Sequence, residues 1–261
     1  MLLSVTSGKG GVGKTSVVIN LAAVLAGRGR RVLVADCDLG LANADILLGL
    51  TPQKTLYDVL REETDIKTVL LDSGAGFDLL PASSGVSEMV DLGPDDHRRL
   101  LAQIVSLFNQ YDLVLLDTGA GISSTVIRFN HMAHEIIILL TPEPTSVTDA
   151  YALIKVLRSR LRRETFHLLV NMVKNKKQGL SVSHNLAAVT RSFLKVNSTY
   201  LGHIVEDISV SRAVRKRKPC VKVFPESPAA ACLETLAQKI ITWTPKGERD
   251  YSGLLGRPRI Q

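Results

Sequence analysis

Short apolar runs recur along the chain, at residues 2–6, 31–35, 77–80, 113–116, 135–140, 167–170 and 201–205. Several show no alternation of apolar and polar positions and are rich in Val, Leu and Ile, the pattern of parallel strands buried on both faces. Together they predict one central sheet. Between them the apolar period lengthens to that of a helix. Residues 16–26 place Val17, Leu21, Val24 and Leu25 on one face. Residues 94–109 open with Asp95 and Asp96 in the first turn and direct Leu100, Leu101, Ile104, Val105 and Phe108 inward. Strands alternating with helices predict a single doubly wound α/β fold with a mostly parallel sheet. No internal repeat, low-complexity stretch or linker interrupts the pattern. Residues 1–244 are therefore expected to form one domain and residues 245–261, with their Pro, Gly and charge, a loosely ordered tail.

Composition narrows the class without changing that outline. With 45% hydrophobic, 22% charged and 5% aromatic residues over 261 positions, the chain is neither disordered nor fibrous. Lys and Arg total 32 against 25 for Asp and Glu, a net charge of +7, which favours an acidic partner such as a phosphate ligand, a nucleic acid or an anionic membrane surface. Cys37, Cys220 and Cys232 are scattered and form no Cys-x-x-Cys pair, so neither a disulfide framework nor a zinc site is indicated. No stretch approaches the roughly 18 apolar residues of a membrane span, and the N-terminal apolar run is too short for a secretion signal. A cytoplasmic protein is expected.

The chemistry begins directly after the first predicted strand. Gly8-Lys9-Gly10-Gly11-Val12-Gly13-Lys14-Thr15 satisfies G-x-x-x-x-G-K-[ST], and Ser16 opens the helix behind it. Phosphate oxygens need several donors converging on one spot. Glycines let backbone N–H groups turn inward, and the helix N-terminus adds the positive end of its dipole. Lys14 is expected to reach the β- and γ-phosphates and Thr15 to offer its hydroxyl to Mg²⁺. A glycine-rich turn without a ligand is the plainer alternative, and the strand and helix on either side argue against it.

Carboxylates follow at the ends of later strands. Asp36 and Asp38 lie two apart in an extended segment, which aims both side chains the same way at the edge where α/β sheets bind ligands. A capping pair in a turn is the alternative. Asp117 ends the apolar run 113–116 and precedes the small residues Gly119, Ala120 and Gly121, a strand-end acid suited to holding a Mg²⁺-bound water and a backbone suited to sensing a γ-phosphate. Asn171 ends another strand at the same edge, and its amide carries the donor and the acceptor that an adenine edge requires; an ordinary turn Asn is the alternative.

The form Lys9-Gly-Gly-Val-Gly-Lys-Thr15, with its additional Lys9, resembles the deviant phosphate loop of the MinD/ParA family of dimerising P-loop ATPases. Residues 36–50, 118–129 and 141–157, with 81–85 and 212–219, resemble the FlhG (FleN, YlxH) branch, and the likeness covers about residues 1–235. The resemblance implies a P-loop NTPase fold and a slow, partner-stimulated ATPase that sandwiches two ATP molecules in a homodimer. It implies that Lys9 reaches the partner's phosphates, Asp38 orients or activates the attacking water, and Asp36 lies near Mg²⁺. It also implies that Asn171 reads adenine, with Glu206, Asp207 and Ile208 lining the base. Its partners would be an FlhF-like GTPase of the signal-recognition type, a flagellar transcription activator or a basal-body protein, and its task the control of flagellar number and placement. ParA-like DNA partition and MinD-like positioning of the division site are the alternatives within the family; a non-hydrolysing adaptor and an iron–sulfur scaffold lie outside that reading.

Two features set this chain apart from the branch. Many FlhG proteins carry an N-terminal extension that stimulates the FlhF GTPase, whereas this sequence begins at the first strand, which leaves that stimulation an open question. Residues 229–243 carry Leu233, Leu236, Ala237, Ile240 and Ile241 at helical spacing but few basic residues, which favours a helix packed on the core over a membrane-targeting one, leaving peripheral membrane contact a secondary expectation. Basic residues cluster in 155–177 and 212–222 without interleaved aromatics. Solvated faces or protein-partner surfaces are expected there, and single-strand stacking is not.

Overall fold

The computed structural model describes residues 1–38, 43–82 and 94–244. Eight strands, β1 (Leu2–Ser7), β2 (Val32–Cys37), β3 (Leu71–Asp72), β4 (Asp78–Leu80), β5 (Leu113–Ala120), β6 (Glu135–Leu140), β7 (Thr165–Val173) and β8 (Asn197–Val205), form one sheet in the order β3-β4-β2-β5-β1-β6-β7-β8. All pairings are parallel except that of β3 with β4. The doubly wound, mostly parallel sheet expected from the apolar runs is therefore present. The two-residue β3 is too short to leave a signal in the sequence. Every residue of β1 and β2 is buried, which is why these strands read as unbroken apolar runs.

Helices α1 (Lys14–Gly27), α2 (Ala44–Leu48), α3 (Leu56–Arg61), α4 (Pro94–Phe108), α5 (Ser124–Met132), α6 (Pro144–Leu161), α7 (Lys176–Leu194), α8 (Ile208–Arg215), α9 (Cys220–Val223) and α10 (Pro228–Ile241) flank the sheet. One core joins α1 and α10 to the sheet face carrying Leu3, Val5, Val32 and Val34. On the opposite face, two further clusters pack α4 beneath β2 and β5, and α6 and α7 beneath β6 and β7. Alternate side chains of one strand thus supply both layers.

Three local expectations fare differently. Helix α1 was expected to bury one face; it is buried nearly all round from Val17 to Leu25, because α10 and α9 cover its outer side. In α4, Leu100, Ile104, Leu107 and Phe108 are buried and Val105 is half-buried, while the side chains of Asp96 and Leu101 lie outside the described residues. The segment expected at 229–243 is α10, and it buries Leu233, Leu236, Ala237 and Ile240 in the core, as expected of a packed helix. Burial on that scale removes its apolar face from any lipid surface. Among the described residues no helix is long and apolar enough to cross a membrane. Residues 39–42, 83–85 and 245–261, the last being the expected tail, lie outside the described residues.

Candidate nucleotide site

Strand β1 lies near the middle of the sheet, between β5 and β6, and the glycine-rich loop leaves its carboxyl end to enter α1. Crossovers diverge to either side of this point, which opens the crevice where such sheets take ligands. Gly11 and Gly13 adopt φ of +76° and +87°, left-handed conformations that other residues resist. Gly13 is the N-cap of α1 and no side chain caps the helix, so the first-turn N–H groups of Lys14, Thr15 and Ser16 have no intrahelical acceptor and face the crevice. Gly8 is required for another reason: a Cβ there would lie 2.2 Å from the carbonyl oxygen of Asp149 in α6.

Beneath the loop the charges converge. Unbroken register places Asp36 of β2 opposite Asp117 of β5. Lys14 Nζ donates to Asp117 Oδ1 at 2.8 Å, both groups being buried. Burial raises the Asp117 pKa, against the opposing pull of Lys14 and the Thr15 hydroxyl. Its other oxygen, Oδ2, is buried and makes no hydrogen bond with the described residues. Burial, and then the neighbouring Asp117, push Asp36 up to about 6. An unmatched carboxylate oxygen beside a second carboxylate and one ammonium suits a hydrated divalent cation. Among the described residues no three His, Cys, Asp or Glu side chains form a metal cage, so a cation here would depend on phosphate oxygens and on the Thr15 hydroxyl, in keeping with the habit of Mg²⁺.

The two aspartates of the 36–38 segment do different things. Asp36 Oδ1 accepts the N–H of Asp38 at 3.0 Å, and Oδ2 accepts those of Asn43 and Ala44 at 3.1 and 3.2 Å. Asp36 therefore ties the following loop to α2. Asp38 faces the Gly119–Gly121 segment: a Cβ on Gly119 would stand 3.5 Å from its Oδ1. That segment departs from the expected turn, since β5 continues through Gly119 and Ala120, with Ala120 paired to Ser7, and the turn starts at Gly121, φ +89°. Gly121 N–H donates to the Ser7 carbonyl, and the Ser7 hydroxyl donates to the Lys9 carbonyl, so the two glycine segments are directly joined.

Lys9 takes no part in the buried cluster. Its ammonium donates to Glu143 Oε2 at 2.6 Å and Thr145 Oγ1 at 2.9 Å at the exposed start of α6. Both partners lie in the 141–157 stretch that resembles the FlhG branch, but nothing in the sequence singles either of them out.

On the other side of the loop lies a cavity of about 730 Å³ lined by Gly13, Ser16, Asn171, Glu206, Asp207 and Ile208, six residues that the sequence singles out. Met172, Val214 and Arg215, which were not picked out, line it too. Asn171 sits within β7 and not at its end. The register of β7 against β8 slips between Val170 and Val173, and Met172 within that slip has φ +55°. This bulge turns the Asn171 amide onto the phosphate loop, where Nδ2 donates to the Val12 carbonyl at 2.8 Å. Asp207 caps α8 by accepting the N–H of Ser209 and ties it to α10 by accepting that of Ala229.

A family model described as an AAA domain matches residues 1–169. The chain is 41% identical over 254 residues to the antiactivator FleN of Pseudomonas aeruginosa, covering 96% of this chain and 91% of that protein. It is 31% identical over 241 residues to the flagellum site-determining protein YlxH of Helicobacter pylori, covering 92% and 81% respectively. The cell division ATPase MinD of Pyrococcus furiosus has the same fold, with a TM-score of 0.74 at 27% identity over 92% of this chain and 98% of that one.

Proposed function

The chain belongs to the MinD/ParA-type P-loop ATPases, in the branch of FleN and YlxH, and from that premise we propose that it is an ATP-dependent dimerising switch that regulates flagellar number and placement. The observation that carries the switch chemistry is the buried Lys14–Asp117 pair under the phosphate loop, with Asp117 Oδ2 left unmatched beside Asp36. Mg²⁺, when bound, would neutralise charge on the β- and γ-phosphates. Lys14 and the first-turn N–H groups of α1 bind the phosphates, Thr15 and Asp117 hold the cation and its water, and Asp36 fixes the loop that carries Asp38. Asp38 orients the attacking water next to Gly119. Asn171, Glu206, Asp207 and Ile208 hold the base in the 730 Å³ cavity.

Lys9 acts in trans on the partner's phosphates. Its ion pair with Glu143 is solvent-facing, and exposed pairs are worth about 0–1 kcal/mol, so an ATP phosphate outcompetes it readily. Hydrolysis is slow in the single chain, because a trans lysine completes the site only in the dimer. The flagellar assignment rests on the likeness to FleN and YlxH, and on it the partners are an FlhF-like GTPase and a flagellar transcription activator or basal-body protein.

Size-exclusion chromatography with light scattering on Asp38→Ala tests the switch. The expected result is a monomer with ADP, a dimer with ATP and Mg²⁺, and ATP turnover lowered by at least about a hundredfold, the loss typical of a positioned catalytic group. A monomer with both nucleotides would remove the trans role of Lys9, and turnover at the parent rate would remove the water-orienting role of Asp38.

A further inference from the structure

A second cavity, of about 440 Å³, lies at the β8 edge of the sheet, apart from the nucleotide cleft. Three features shape it. Leu168 pairs with Tyr200 but Leu169 with Gly202, so Leu201 is the extra residue of a bulge. In a regular strand, residues 200 and 203 would point to opposite faces; across the bulge the Tyr200 hydroxyl meets His203 Nδ1 at 2.7 Å. Two glycines then bring helices in close. A Cβ on Gly179 of α7 would lie 2.8 Å from the His203 Cβ, and one on Gly202 would lie 2.5 Å from Leu236 Cδ2 of α10. Lys176 from the first turn of α7 and Lys239 from the last turns of α10 thereby flank one opening.

Among the described residues none that lines this cavity is acidic. Lys239 Nζ donates to the bulge carbonyl of Leu201 at 2.6 Å and stands 5.8 Å over the Tyr200 ring, keeping further donor hydrogens. The Lys176 ammonium is exposed and makes no hydrogen bond or ion pair with the described residues. Burial first, and then Lys176 and Lys239, lower the His203 pKa, as expected where uncompensated positive charge surrounds an imidazole.

We propose that this bulge-built pocket, with Lys176, Lys239 and His203 as its donors, binds the phosphate group of a small phosphorylated molecule. Two ammonium groups at the mouth match a phosphate dianion, the N-terminus of α7 adds its dipole, and the Tyr200 ring with Leu236 supplies an apolar wall for the rest of the molecule. Beyond His203, strand β8 contributes Ile204 and Val205 to the lining of the nucleotide cleft, so the two pockets share one strand.

The test uses the full chain with Mg²⁺ and excess ADP, so that the phosphate loop is filled, titrated at constant ionic strength with inorganic phosphate and, separately, with adenosine monophosphate. The His203 ring is followed by NMR. The expected result is a saturable shift of its resonances and a raised His203 pKa, with binding weakened about tenfold by Lys176→Gln, the cost of one charge-assisted hydrogen bond. A stronger response to the monophosphate identifies a phosphorylated metabolite as the occupant, and equal responses identify the bare anion. No saturable shift, or the same titration in Lys176→Gln and Lys239→Gln, would overturn the proposal. Lys176 is exposed, so its variant keeps the fold.

Discussion

The middle of the sheet and its β8 edge solve the problem of aiming side chains in opposite ways. Strands β2 and β5 pair without a break from Val32 to Cys37, and that regularity sets Asp36 against Asp117 under the phosphate loop. Strands β7 and β8 slip twice within nine residues, and each slip turns a polar side chain where a regular strand could not: Asn171 onto the loop, and Tyr200 beside His203. Regular pairing places charge deep in the interior, where it must be matched. Irregular pairing places polar groups at a partly open margin, where a ligand or solvent completes them.

The largest effect expected from breaking this contrast is at the centre. Lys14→Ala leaves Asp117 buried without its ammonium and is expected to cost about 3–5 kcal/mol in urea denaturation at pH 8, together with the loss of ATP binding. The cost shrinks on acidification, because burial already raises the Asp117 pKa and the carboxyl can protonate. A loss that did not vary with pH would show that Asp117 is matched by some other group. At the edge, Gly202→Ala drives a methyl group into Leu236 and is expected to cost about 1–3 kcal/mol, the range for overpacking. An unchanged urea midpoint would show that α10 can shift off β8 freely.

The smallest effect concerns acid. His203 has a lowered pKa, so the unfolded chain takes up its proton first as pH falls. Its contribution to stability is intact above about 6.5, the ordinary histidine value, and declines as pH drops below it toward the lowered one. His203→Gln is expected to flatten that part of the pH profile, measured as the difference in melting temperature between pH 7.5 and 5.5.

How far the molecule could be read from its sequence follows the same division. The glycine-rich loop is contiguous, and the strands behind it are apolar throughout, so the loop, Asp36, Asp38 and Asp117 were all legible, and they meet around one crevice. Periodicity has no term for a bulge. The place of Asn171 within β7, the run of β5 through Gly119 and the meeting of Tyr200 with His203 leave no signal, since each depends on one residue slipping out of register. Lys9 was legible as unusual, but Glu143 and Thr145 lie more than 130 positions away in sequence and meet it only because Gly8 lets α6 approach the loop. The surroundings of α1 were likewise hidden, for nothing in residues 14–27 shows that α10 and α9 will cover their outer side.

The ammonium of Lys239 on the Leu201 carbonyl has one more consequence. An outermost strand of nine residues is a template on which another chain can lay a strand of its own, and runaway stacking of that kind removes proteins from solution. Here the template is spoiled midway: one carbonyl is already taken by a charged head group, and the extra residue beside it throws the spacing of the remaining donors and acceptors out of step with any straight strand. The sheet stays open on this side, yet it offers a poor seed for aggregation.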